Sequence, residues 1–268
     1  MNMNTIVHPA LTMLLALLLA HLLADFPLQS NWIAHNKGKG TWARLVHIAI
    51  HYAVAWSCLL LFANVSFFSW FDQLVIIGYL LVHFGIDTCK GLITARWKSC
   101  DNTTLFVTDQ LLHILTVAAA VLILARLHAA WLFGWWPIMT AKARFHLLVA
   151  ITIYAGVMFA GGHFIRYFTK GLSSNLAGAT GTETPEQLKN AGMYIGWIER
   201  FLIITAIAAQ SPAMVGLILT GKSIARFPEL KDARFAEYFL IGTLLSVLIA
   251  VAGGIVLARM LYGTFSLK

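Results

Sequence analysis

Eight apolar runs leave this chain few ways to fold. They lie at about 6–25, 44–63, 73–93, 107–127, 145–166, 194–210, 213–225 and 236–261, most of them near the roughly 20 residues that a helix needs to cross a bilayer. In hydrocarbon each backbone N–H and C=O must find its partner within the protein. The runs therefore read as an all-α, polytopic membrane bundle of seven or eight transmembrane helices. The sixth and seventh are short, and Gln210, Ser211 and Pro212 between them fit either a re-entrant hairpin or a tight pair of short helices. Composition agrees, with 59% hydrophobic and 11% charged residues, about half the charge fraction of a soluble domain.

The basic residues orient the bundle. Lys37, Lys39 and Arg44 follow the first run, Arg96 and Lys98 the third, Arg166, Lys170 and Lys189 the fifth, and Lys222, Arg226, Lys231 and Arg234 the seventh. The connections after runs two and six carry neither Lys nor Arg, and the one after run four carries a few. Positive-inside counting places the N-terminus outside and the basic loops in the cytoplasm, in a cytoplasmic (inner) membrane. The net charge of +8 is thereby read as topology, and no nucleic-acid partner is expected. The n-region MNMN lacks Lys and Arg and the first run contains His21 and Asp25, so that run is expected to stay in the protein as a span. Cys58, Cys89 and Cys100 form no CxxC pair, and a disulfide framework is not expected. The polar stretch 167–193, rich in Gly, Ser and Thr, reads as a cytoplasmic linker between a five-span half, 1–166, and a C-terminal half, 194–268, of two or three spans.

Four pairs of metal-capable side chains sit inside these apolar runs: His21/Asp25, His47/His51, His83/Asp87 and Asp109/His113. Each is spaced i,i+4, which puts both members on one helix face. Sixteen of the 268 residues are His or Asp, and chance placement gives about one such pair. The first and third pairs close a span and the second and fourth open one, so all eight side chains belong to one layer at the cytoplasmic ends of helices one to four. Taken singly, a His near a helix end is ordinarily an interfacial or hydrogen-bonded side chain. Taken together, eight ionisable groups in membrane helices need a shared partner. Five imidazoles and three carboxylates exceed one tetrahedral zinc; they suit two ions, or one ion whose His ligands are oriented by carboxylates. The ligand types favour Zn²⁺, with Mn²⁺ or Fe as alternatives. Of the remaining histidines, His8, His35, His128, His146 and His163, only His163 is placed to join this layer.

A second polar group is expected at the same level. Glu199 and Arg200 lie early in run six, Lys222 and Arg226 close run seven, and Glu237 opens run eight. The bland reading is topogenic, snorkelling cations. The functional one is a phosphate clamp of Arg200, Lys222 and Arg226, with Glu199 or Glu237 as acid/base or as ion-pair partner of Arg200. Gly242, Thr243, Gly253 and Gly254 read as helix-packing positions.

The stretches LLLAHLLADFPLQSNWIAHNK, HIAIH, HFGIDTCK and DQLLH, followed by IGWIERFLI, GKSIARF and AEYFLIGTLLS, resemble the bacterial multi-pass membrane family catalogued as domain of unknown function family 3307. That resemblance implies a membrane bundle and no established activity. The intramembrane His and Asp motifs bear a looser likeness to membrane-bound metal-dependent hydrolases.

These features lead to the expectation of a metal-dependent hydrolase holding one or two divalent ions. Asp25, Asp87 and Glu199 are its candidate catalytic groups, and a membrane lipid or a lipid-linked or phosphorylated small molecule is its substrate. The alternative from another class is a non-enzymatic membrane protein: a metal or proton transporter, or a sensor with a structural metal. A transporter needs polar groups through the full depth of the bundle, whereas the outer halves of these runs read as nearly wholly apolar.

Overall fold

The structure is a computed structural model that describes residues 9–37, 40–63, 69–127, 140–177 and 191–263. Among the described residues it is helical throughout, with no strand. The helices are α1 (Pro9–Asp25), α2 (Asn31–Asn36), α3 (Thr41–Cys58), α4 (Trp70–Arg96), α5 (Thr103–Leu127), α6 (Ala141–Ala155), α7 (Gly161–Ala177), α8 (Ala191–Ala208), α9 (Ala213–Ala225) and α10 (Ala233–Tyr262). Each apolar run of the sequence has become a helix. Among the described residues five continuous helical segments are long and apolar enough to cross a membrane: 41–63, 70–96, 103–125, 141–170 and 233–262. Two of these contain a π-helical turn, Leu59–Ala63 at the end of α3 and Gly156–Ala160 between α6 and α7. Helix α7 continues to Ala177, so the polar stretch from 167 begins as helix; 178–190 lie outside the described residues. So do His8 and His128.

Helix ends are set by local chemistry. Ser30, Ser69 and Asp232 accept from the backbone N–H groups of Ile33, Asp72 and Phe235, capping α2, α4 and α10. Asn102 Oδ1 does the same for Leu105 at the start of α5. Gly263 closes α10 with φ 74°, a left-handed position that glycine takes without a Cβ clash. The 13 residues of α9 extend about 20 Å, less than the roughly 30 Å hydrocarbon core. Helices α8 and α9 pair directly, through a tight turn in which Gln210 takes φ 57°.

The outward faces are apolar. On α4, Trp70, Phe71, Leu74, Ile77 and Leu81 are exposed at helical spacing, while Asp72, His83 and Asp87 on the same helix are buried. This inversion of the usual amphipathic arrangement would be a large unprotected patch in water and is the expected surface in lipid. Cys58, Cys89 and Cys100 are free thiols.

The chain divides into two compact units, Met1–Thr152 and Ile153–Lys268. In the first, α1 packs against α3 and α5, and α4 packs against the same two helices. The result is a closed ring of four helices with its axis available to inward side chains. In the second, α10 packs on α7 and α8, and α8 on α9. The closest approach there is made by glycines: a Cβ on Gly254 would stand 2.6 Å from Ile207 Cβ and 3.2 Å from the Ile204 carbonyl, and one on Gly253 2.7 Å from Val157. These two positions are packing glycines, as the sequence reading has them. Gly242 has nothing within 4 Å of its Cβ position, and it lines a cavity instead.

Candidate metal centre

All four i,i+4 pairs point into the ring of the first unit. Their eight side chains are nearly inaccessible, from 0% for His83 and His113 to 8% for Asp25 and Asp87. The end of α1 meets the start of α3: Nε2 of His47 and Nε2 of His51 each lie 3.0 Å from Oδ1 of Asp25. The late part of α4 joins them, with His83 Nε2 at 3.7 Å from the same oxygen and 3.8 Å from Asp87 Oδ2. From α5, the His113 ring lies 4.1 Å from that of His83 and 5.0 Å from that of His21, tilted against both. Helix ends and helix starts thus alternate around one layer.

Three overlapping groups of side chains bring one ligand atom each to within 4.8 Å of one another: Asp25, His47, His51 and His83; His21, Asp25 and His113; and His83, Asp87 and His113. Ligands about 2.1 Å from a tetrahedral zinc stand about 3.4 Å apart, so these groups are near the spacing that an ion would impose. Asp25 and His83 and His113 each belong to two groups, a sharing that suits two adjacent ions as well as one. Asp109 is in none of the three. Its Oδ1 lies 3.8 Å from His113 Nδ1, beyond hydrogen-bond distance.

Whether such a cluster fits a metal is tested by its hydrogen bonds. Both ring nitrogens of His83 and both of His113 are fully buried without a hydrogen-bond partner, as is Oδ1 of Asp109. An unpaired buried polar group costs about 1–3 kcal/mol by mutational measures, and native interiors leave few of them. Two imidazoles packed 4.1 Å apart at a 42° tilt, with all four nitrogens unsatisfied, are a poor hydrogen-bonding arrangement and a good ligand set. The buried His/Asp group could hold a metal ion.

Three polar residues that the sequence reading did not assign to the site complete it. Lys90 Nζ donates to Asp109 Oδ2 at 2.7 Å, and Gln110 Nε2 donates to the same oxygen at 3.1 Å. Gln110 Oε1 lies 3.3 Å from His21 Nε2, linking α5 back to α1. Lys37 Nζ reaches Asp87 Oδ2 at 3.4 Å, an oxygen that is also 3.4 Å from His47 Nε2. The two lysine side chains are 22% and 24% exposed, against 4% and 3% for their carboxylates, so the cations form the accessible rim of an otherwise sealed cluster. Lys90 carried a signal in sequence, standing three residues after Asp87 within an apolar helix; Lys37 was read only as topogenic.

The second polar group lies wholly in the second unit. Lys222 Nζ donates to Glu199 Oε2 at 2.6 Å, and Arg226 Nη1 to Glu229 Oε1 at 3.2 Å. Arg200 donates from Nη2 to the Met158 carbonyl at 2.9 Å and from Nη1 to Ser246 Oγ at 3.3 Å. Glu199, Arg200, Lys222 and Arg226 line one cavity of about 620 Å³. Glu237 is not among its lining residues. His163, also in this unit, places Nδ1 3.1 Å from the carbonyl of Phe159 on its own helix.

Residues 13–140 match the model of the family described as "Protein of unknown function (DUF3307)", which bears out the family resemblance over that stretch. The matched residues contain all eight members of the His/Asp constellation, and Lys37, Lys90 and Gln110 as well; the C-terminal motifs lie outside them. No curated protein and no solved structure matches the chain.

Proposed function

We propose that this chain is a metal-dependent hydrolase of the cytoplasmic membrane, acting at the inner headgroup level on a phosphorylated or lipid-linked substrate. The observation that carries the reading is the pairing of a buried ligand cluster with a rim of two lysines. The ligands cluster in one layer of four helices, and two lysines that ion-pair with its carboxylates, Lys37 and Lys90, are the accessible members of the group. A purely structural ion needs no such rim.

His21, His47, His51, His83 and His113 with Asp25 would hold one or two ions, zinc being the first choice and manganese or iron the alternatives. The chemistry such an ion supplies is Lewis acidity toward a phosphoryl or acyl oxygen and acidification of water. Asp25 is engaged by two imidazoles at 3.0 Å and is the natural ligand. Asp87, which faces Lys37 at the rim, would take a proton as general base. Lys37 and Lys90 would attract the anionic group of a substrate toward the cluster. Glu199, the third candidate acid/base group, is held by Lys222 in the second unit, and we assign it no step at this cluster.

One observation favours ion or proton movement instead. Asp72, in the first turn of α4, is 0% exposed, and Tyr79, between it and His83 on the buried face, is 5% exposed. The eleven residues from Asp72 to His83 correspond to about 16 Å of helix, so α4 buries polar groups from its first turn to its middle.

Elemental analysis of the detergent-purified protein, beside a phosphoester and phospholipid hydrolysis screen, tests the proposal. The expected result is one or two equivalents of metal per chain, lost in His83→Ala, and turnover that disappears in Asp87→Asn while the metal is retained. Turnover indifferent to Asp87→Asn, or no metal after purification without chelators and with metal added back, would overturn it. Asp72→Asn separates the readings: it leaves hydrolysis intact, but it would abolish uptake into proteoliposomes if the protein were a transporter.

A further inference from the structure

The first unit leaves the second unit's cavity unexplained. Its polar end carries three cations, Arg200, Lys222 and Arg226, and a single carboxylate, Glu199. Lys222 already occupies Oε2 of that carboxylate and Arg226 is paired with Glu229 outside the cavity, which leaves Arg200. Arg200 is only 5% exposed, and a guanidinium stays charged at any physiological pH. Its described partners are a carbonyl and a hydroxyl, both neutral, and its Nε has no hydrogen-bond partner. No carboxylate among the described residues is in ion-pair reach of it. A buried charge whose direct contacts are all neutral acceptors, with Glu199 acting only from beyond ion-pair distance, is costly, and an anion would relieve it.

The surroundings hold that guanidinium in place. A Cβ on Gly162 would stand 2.6 Å from Arg200 Nη2, and one on Gly196 3.3 Å from Nη1, so two glycines from α7 and α8 form its bed. An amphiphile fits better than a small solute alone, because the rest of the cavity's lining, Thr169, Tyr238, Thr243 and Ser246 excepted, is apolar and continues to exposed side chains. Ile195, Ile198 and Leu202 line it and are 46%, 59% and 44% exposed. A charged end beside an apolar side that opens outward matches an amphiphile with a phosphate head.

We infer that the second unit is a phospholipid-binding module, with the lipid phosphate seated on Arg200, Lys222 and Arg226 and an acyl chain lying along Ile195, Ile198 and Leu202. Arg and Lys at this end supply charge-assisted hydrogen bonds to phosphate oxygens, and Glu199 holds Lys222 in position. The inference does not rest on hydrolysis in the first unit and stands or falls separately from it.

The full-length protein, stripped of lipid in a nonionic detergent, is titrated with short-chain phosphatidylglycerol, and bound lipid is counted by native mass spectrometry. Diacylglycerol of the same chain length and inorganic phosphate serve as the other probes. One saturable phosphatidylglycerol per chain is expected. Arg226→Gln and Lys222→Gln should each weaken it about tenfold, the loss of one charge-assisted phosphate contact; elution volume and helical circular dichroism, both unchanged, report that these variants remain folded. Arg226 is exposed enough for its variant to fold even if the Lys222 variant does not. Absence of saturable binding, or binding indifferent to Arg226→Gln, overturns the site. Diacylglycerol binding as tightly removes the phosphate from it, and inorganic phosphate binding as tightly removes the lipid.

Discussion

Nζ of Lys90 on α4 donates to Oδ2 of Asp109 on α5 at 2.7 Å, joining two helices beside the histidine cluster. The carboxylate is 3% exposed and the lysine 24%. Removing the lysine therefore leaves a buried charge with Gln110 as its remaining hydrogen-bond donor, and Lys90→Met should destabilise the protein by about 2 kcal/mol, below the 3–5 kcal/mol of a fully buried pair because the cation is partly solvated. Asp109→Asn in the same background removes the uncompensated charge and should recover most of the loss. A double-mutant cycle on detergent thermal melts measures the coupling, and strictly additive effects would show that the pair does not interact.

His83 gives a prediction of unusual sign. Neither of its ring nitrogens is hydrogen-bonded, so without metal the imidazole is an uncompensated polar group in the ring of helices. His83→Leu should leave the metal-free protein as stable as the metal-free wild type, or more so. A metal that binds only the folded state adds about 2.7 kcal/mol at a hundredfold excess over its dissociation constant. A strong chelator should therefore lower the wild-type Tm by several degrees and leave that of His83→Leu unmoved. A chelator-insensitive wild type would mean that the cluster holds no ion.

The helix content and the histidine layer were legible because each is a local property. An apolar run of membrane length names a helix by itself, and an i,i+4 spacing fixes a shared face with no knowledge of the neighbouring helix. Lys37 opposite Asp87 depends on the register between α2 and α4, which no local pattern encodes. The same limit applies to Arg200, Lys222 and Arg226: that they line one cavity with Glu199 depends on how α8 packs against α9. The π-helical turns Leu59–Ala63 and Gly156–Ala160 had no counterpart in the hydropathy pattern, which registers a helix without its winding.

Two glycines of α10 should respond oppositely to alanine. At Gly254 the new Cβ would meet Ile207 Cβ at 2.6 Å and the Ile204 carbonyl at 3.2 Å. The backbone of α8 cannot turn away as a flexible side chain can, so Gly254→Ala should cost about 1–3 kcal/mol as an overpacked contact. At Gly242 nothing lies within 4 Å, and alanine should be neutral or stabilising by up to about 1 kcal/mol through helix propensity. Thermal melts of the two variants side by side check this; equal effects would mean that α8 and α10 are not in close contact.

Lys37 separates a substrate-binding rim from a merely structural one. Its Nζ lies 3.4 Å from Asp87 Oδ2 with the side chain 22% exposed, so it can bind an anion arriving from the rim while it still faces the carboxylate. If it draws in the substrate phosphate, Lys37→Met should raise KM about tenfold, the worth of one charge-assisted contact. Metal content and kcat should then change little, because uniform binding is lost and no ligand is. Lys37→Arg, which keeps the charge, should restore most of the affinity. If the lysine serves only to balance Asp87, the methionine variant leaves KM unchanged, and it lowers the metal content or kcat through the disturbed carboxylate. Steady-state kinetics with metal counted in the same preparations decides between the two. A KM effect that salt at about 1 M erases in the wild type and does not deepen in the variant would mark the contact as electrostatic attraction from the rim.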